Sequence, residues 1–149
     1  MKDLFDASIT QEVIDRINRL SPDTKPLWGK MTVSQMLAHS QSPLYVALGE
    51  KKIKGGLMAF LFGKIAKKQL FRDGPFKKNL PTAPSFLVKG ERDFEEEKNS
   101  LISQLQRFSK ADPTEIAARP HPFFGKLTAE EWNFLQYKHL DHHLRQFGA

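Results

Sequence analysis

The chain has 149 residues, 40% of them hydrophobic, no cysteine and a formal net charge of +6. That length and apolar content suit one domain with one core over residues 1–149 rather than a disordered chain. Without cysteine there are no disulfides, zinc–thiolate centres, iron–sulfur clusters or cysteine nucleophiles, so any metal must be held by His, Asp, Glu or water, a donor set that suits zinc, nickel, iron or manganese.

The first ten residues carry Asp3 and Asp6 and no apolar run, unlike a signal peptide. Ser8 followed by Gln11 reads as a capping box, and Ile9, Val13, Ile14, Ile17 and Leu20 share one face, which predicts a first helix over Ile9 to Leu20, stopped by Ser21-Pro22. Thr32 with Gln35 opens a second helix that carries Val33, Met36, Leu37, Leu44 and Leu48 inward and ends before Gly49, with Pro43 inside it. Residues 51–92 break this plan. They hold a short helical candidate, Leu57 to Phe71, then a loop through Pro75, Pro81 and Pro84, with Ser85 to Lys89 as the one extended-looking stretch. Within 51–90 lie ten Lys or Arg against one acid, Asp73, so the positive excess belongs to this segment. It reads either as a solvated lysine face or as a surface for an anionic cosubstrate, membrane or nucleic acid. Asp93 with Glu96 starts a third helix to Phe108, with Leu101, Leu105 and Phe108 inward and Glu95 to Glu97 forming a solvated first turn. A long connection over 109–127 follows, and Thr128 with Glu131 starts a last helix, Ala129 to Phe147, closed by Gly148. Four amphipathic helices and poor strand signals predict an all-α fold, a four-helix bundle. The longest strongly apolar run, Leu57 to Phe62, is far short of the ~20 residues of a membrane span, so no transmembrane segment and a cytoplasmic location are expected.

The chemistry concentrates in the last helix. His139 and His143 are four residues apart, about 40° on a helical wheel, so two imidazoles on one face can converge on one ion. Trp132, Leu135, Leu140 and Phe147 surround them, which turns the pair inward and leaves His142 at the edge of the buried stripe and Asp141 in water beside Lys138 or Arg145. A buried neutral imidazole needs a hydrogen bond or a metal for its ring acceptor. His39 is the third candidate, at the margin of the second helix's apolar stripe. His121, between Pro120 and Pro122, either reaches the pocket or packs on Phe123 and Phe124, the latter being the commoner use of such a residue. Trp28 and Trp132 read as core or pocket walls, and Arg145 and Gln146 as anchors for the loop carrying Phe123. No phosphate-binding glycine loop, inward carboxylate pair or serine nucleophile signature is present.

At these residues the chain resembles the DinB-like superfamily of metal-binding four-helix bundles. That family has one His in its second helix and a His-x-x-x-His pair in its last helix followed by Arg and Gln, matched here by His39, by His139 and His143, and by Arg145 and Gln146. The stretches Trp28 to His39, His121 to Trp132 and Gln136 to Phe147 look like an uncharacterised branch of it, and Leu144 departs from the Arg that commonly follows the second His. The resemblance implies an up-down-down-up bundle with a long crossover between helices 2 and 3. It implies a divalent ion, zinc or nickel, on His39, His139 and His143. Beside them, His142, His121, Trp28 and Trp132 are the candidates for positions behind the ligands or around the pocket. Characterised relatives include thiol S-transferases and a thiol-dependent isomerase. The expected function is therefore a metal-dependent transferase-type enzyme acting on a small molecule such as an anionic thiol. The alternative is a non-catalytic metal or small-ligand binding protein. No nucleic acid partner is expected, and a homodimer is a compatible state. A third reading, an interfacial helix over Leu57 to Phe71 that binds a membrane or nucleic acid, uses Lys64, Lys67 and Lys68 beside the apolar residues of that stretch.

Overall fold

Helix signals dominate the structure as they do the sequence. The computed structural model describes residues 2–53, 67–68, 71–72, 74–80, 82 and 84–149. Among these, five α-helices and one 3-10 turn account for the regular structure, and the only β contact is an isolated bridge between His121 and Gly125. The helices are α1 (Ala7–Asn18), α2 (Val33–Ala47), α3 (Phe94–Lys110), α4 (Pro113–Ala118) and α5 (Ala129–Gln146). Each of the four long ones packs on two others: α2 lies against α3 and α5, and α1 lies against α3 and α5. Their shared interior holds Val13, Ile17, Met36, Leu37, Leu44, Leu101, Leu105, Phe108, Trp132 and Leu140, all buried. No helix of the described residues is long and apolar enough to cross a membrane.

The caps explain most of the helix boundaries. Thr32 and Thr128 each form the full capping box, their hydroxyls accepting from Gln35 N and Glu131 N while the Gln35 and Glu131 side chains accept from the cap backbone. α1 differs from expectation. Its cap is Asp6, not Ser8, and it starts at Ala7 and ends at Asn18. Asp6 accepts from Ser8 N at 2.8 Å and from the Ser8 hydroxyl at 2.7 Å, so the carboxylate two residues upstream takes the place predicted for Ser8. α5 ends in a Schellman arrangement: Gly148, at φ +75°, donates to Arg145 O and Ala149 N donates to Leu144 O.

Two segments correct the prediction further, and a third lies largely outside the described residues. The connection over 109–127 contains α4, whose start is Asp112 as cap and Pro113 in the first turn, a combination suited to a helix start because proline lacks only a hydrogen bond that position does not make. The stretch read as extended, Ser85 to Lys89, begins instead in the 3-10 turn Pro84–Phe86. The helical candidate Leu57 to Phe71 lies largely outside the described residues, with Lys67 and Lys68 helical within it. The described parts of 67–76 run along α5: Phe71 stacks on Phe134 at 5.4 Å, Lys67 pairs with Glu131 at 2.8 Å, and Lys138 donates to Arg72 O at 2.7 Å.

Candidate metal centre

α2 is buried on most of its circumference. Met36, Leu37, His39, Ser40, Gln41, Ser42 and Leu44 are all withdrawn from water. The margin position predicted for His39 is therefore covered, and its residue is only 4% exposed. Pro43 sits one turn on and has no N–H to donate to the His39 carbonyl, which loosens the ladder at this point of the helix. From α5, His139 and His143 project to the same place. The imidazole centroids are 5.0 Å apart for His39 and His139, 4.8 Å for His39 and His143, and 4.6 Å for His139 and His143. One ligand atom from each of the three lies within 4.8 Å of the others. The three residues that the sequence singled out are thus brought together, and the three histidines are close enough to hold a metal ion.

Hydrogen bonds decide which ring nitrogen faces inward. The Phe86 carbonyl can only accept, so His39 Nδ1, 2.9 Å away, carries the proton and Nε2 keeps its lone pair. A longer chain fixes His143. The Trp28 carbonyl accepts from Gln146 Nε2 at 2.7 Å, which turns the Gln146 oxygen toward His143 Nδ1 at 2.9 Å, so that nitrogen donates and Nε2 is again free. His39 Nε2 and His139 Nε2 are 3.1 Å apart. His139 Nδ1 is buried without a hydrogen-bond partner among the described residues. If His139 carries its proton on Nε2, Nδ1 is a sealed acceptor with nothing to accept; if on Nδ1, two lone pairs face each other. A cation between the nitrogens relieves the second arrangement. Metal–nitrogen bonds of ~2.0–2.1 Å at tetrahedral angles separate ligand nitrogens by roughly 3.3 Å, close to the His39–His139 spacing, and all three ligand atoms lie within 4.8 Å of one another. The donor set and the facing Nε2 lone pairs of His39 and His139 fit a divalent ion.

Burial also sets the charge state. It pushes His39 below the ordinary histidine range, helped by the Lys51 charge. It pushes His139 well below that range, reinforced by His143 and His39. His143 falls to about 3, from burial first and then from His39. All three rings are neutral near pH 7, the form a metal requires.

Two cavities open beside the cluster, about 390 Å³ and 270 Å³. His39, His142 and His143 border both. Trp28 and Gln146 help to wall the first, and His121, Phe123 and Phe124 help to wall the second. His142 is half-buried, with its ring 5.8 Å from Trp28 and 5.8 Å from Phe76. His121 is turned to structure: its Nδ1 accepts from Phe123 N at 3.1 Å and Phe124 N at 3.3 Å, its ring stacks on Phe124 at 4.4 Å, and burial lowers its pKa to about 4. It lines the second cavity without joining the triad. Trp132 borders neither cavity; it is fully buried and donates to Arg119 O at 3.3 Å.

Two expectations are corrected here. Asp141 pairs with Arg145 at 2.8 Å as expected, but it is not freely solvated: it also meets Arg16 on α1 at 2.8 Å, with 13% of its side chain exposed. Arg16 also reaches Ala149 O at 2.9 Å, so this network ties α1 to the end of α5. Arg145 and Gln146 accordingly do not anchor the Phe123 loop, since the first is engaged with Asp141 and the second with Trp28 and His143.

Sequence reasoning missed the Phe86 carbonyl, because no pattern announces which loop carbonyl will meet a ring nitrogen. It also missed the cavity walls from 76–86. The signal for Gln146 was available in its i, i+3 spacing from His143. Gly29 was missed as well. It adopts φ +84°, and a Cβ there would lie 2.6 Å from Gln146 Nε2, so only glycine lets the Trp28 turn approach the residue that orients His143.

Comparison with known proteins gives no match among curated proteins or solved structures. A family model described as "Protein of unknown function (DUF1569)" matches residues 3–149. With the match running through every described helix, the chain belongs to the DUF1569 family.

Proposed function

We propose that His39, His139 and His143 hold one divalent metal ion, zinc or nickel, and that the protein uses it on a small molecule as a metal-dependent transferase-type enzyme. The observation that carries the first half is the hydrogen-bond arrangement. Phe86 O and Gln146 fix the outward nitrogens of His39 and His143, and the inward Nε2 of His39 lies 3.1 Å from His139 Nε2. Partners of that kind orient metal-binding imidazoles and raise their basicity. Three neutral nitrogen ligands leave coordination positions open, which is the form of a catalytic rather than a closed structural site. When bound, such an ion lowers the pKa of a coordinated water or thiol and so supplies a nucleophile near neutral pH. The chain's own residues present the substrate to it. Trp28, His142 and Phe86 wall the approach, and Gln146 holds His143 in place. An S-transfer chemistry and the up-down-down-up, DinB-like topology with a crossover over 51–92 accord with the sequence resemblance and with the pairing of α2 on α3 and α5. One domain over 1–149 accords with the reach of the family match.

Protein purified without an affinity tag, analysed for metal by mass spectrometry, is expected to carry about one equivalent, and His143→Ala is expected to lose it. Absence of any stoichiometric ion, together with no thermal stabilisation by added zinc or nickel, overturns the proposal. The non-catalytic alternative uses the same pocket. Metal-dependent turnover in a panel of thiols with electrophilic acceptors separates the two.

A further inference from the structure

The two cavities differ in character and meet at the histidines. The first carries Trp28, Lys30, Asn79 and Gln146 in its wall. The second is walled mainly by Pro43, Phe76, Phe123, Phe124 and Leu135, with His121 fixed among the rings. Both share His39, His142, His143 and Phe86. His142 stands at the join, with Trp28 on one side and Phe76 on the other.

Among the described residues, the charge around the pair is one-sided. Among the described residues no aspartate or glutamate lines either cavity. Lysines stand in or behind the walls. Lys30 is in the first wall, Lys78 Nζ is 4.5 Å from the Trp28 ring centroid, and Lys51 Nζ is 5.8 Å from that of Phe86. A cleft lined by one sign of charge within low-dielectric walls concentrates ligands of the opposite sign. A divalent ion on three neutral imidazoles would add charge that no described wall residue offsets.

We infer that the paired chambers take one organic anion with a ring-bearing apolar body. The charged head lies on the side of Trp28 and Lys30, the body lies among Phe76, Phe123 and Phe124, and the histidine cluster is at the join. Size permits this, because a cavity of roughly 150 Å³ already holds a benzene ring. The inference rests on the metal reading for the ion's share of the positive charge, while the lysines and aromatic walls stand without it.

The test is a titration of 3-phenylpropionate, its uncharged amide and propionate into the full chain, with and without zinc, followed through the indole N–H resonance of Trp28. The carboxylate is expected to bind at least ten-fold tighter than either the amide or propionate in the zinc-loaded protein. In the metal-free protein a smaller preference for the carboxylate over the amide is expected to persist. The exposed double variant Lys30→Ala/Lys78→Ala should weaken the carboxylate several-fold and leave the amide unchanged. Phe123→Ala should weaken both ring-bearing probes and leave propionate unchanged. Equal binding of acid and amide in both forms overturns the inference, as does a carboxylate affinity indifferent to the lysine pair. If zinc fails to bind while the metal-free preference survives, the metal reading falls and this one stands.

Discussion

Gln146→Ala would remove the link between the Trp28 turn and the His143 ring. Gln146 is 4% exposed and makes two hydrogen bonds, accepting from His143 Nδ1 at 2.9 Å and donating to Trp28 O at 2.7 Å. Both partners are left without a protein counterpart in the variant. A buried polar group deprived of its partner costs ~1–3 kcal/mol, less where water enters the space left behind. The metal-free protein should therefore lose on the order of 2–4 kcal/mol of stability. His143 would also become free to rotate and to exchange tautomers, and loss of such a supporting bond lowers metal affinity ~10–100-fold. Urea unfolding of metal-free protein measures the first quantity, and competition for zinc against a chromophoric chelator measures the second. Gln146→Glu is the discriminating control. Its carboxylate still accepts from His143 Nδ1 but cannot donate to Trp28 O, so zinc affinity should recover toward the parent while stability does not. An alanine variant that binds zinc within about two-fold of the parent refutes the assignment of Gln146 as the group that orients His143.

Further outcomes follow from the same geometry. Gly29→Ala should destabilise by ~1–2 kcal/mol from the positive φ alone and should also weaken zinc binding, because the new methyl displaces Gln146; denaturant titration and chelator competition check both. Asp141→Asn should cost on the order of 2 kcal/mol by loosening Arg16 from α5 while leaving zinc affinity within a few-fold of the parent, which separates scaffold from site by the same two assays. The pH dependence has a definite sign. Burial holds His143 near 3, His121 near 4 and His39 and His139 below the usual value, so between about pH 6.5 and those values the unfolded chain binds protons that the folded chain does not. Stability of the metal-free protein should be flat above pH 7 and fall as pH drops through that window, and zinc should be released over its upper part. A profile in which stability rises on acidification between pH 6.5 and 4 contradicts the neutral, buried rings.

The elements most legible in the sequence were those with a local physical cause. Thr32 and Thr128 opened their helices as predicted because a capping box satisfies two orphan donors within four residues. His139 and His143 shared a face because helical geometry requires it. His39 was different. Its own stripe placed it at a margin, and what buries it is the packing of α2 together with the Phe86 carbonyl from 47 residues away. Asp141 was misread for a similar reason: its place on α5 said nothing of Arg16 arriving from α1. Ser8 lost its cap role to a competitor, Asp6, that the pattern rules rank equally well. The missed α4 shows the opposite lesson, because Asp112-Pro113 is itself a helix start that a search for apolar periodicity passes over.

The central claim is that three imidazoles share one ion. Crystals of untagged protein grown with zinc, and separately with nickel, would be measured on both sides of each metal's absorption edge. The account predicts a single anomalous peak about 2.0–2.1 Å from the inward nitrogens of His39, His139 and His143. A peak elsewhere, or none between the three rings at saturating metal, would contradict it.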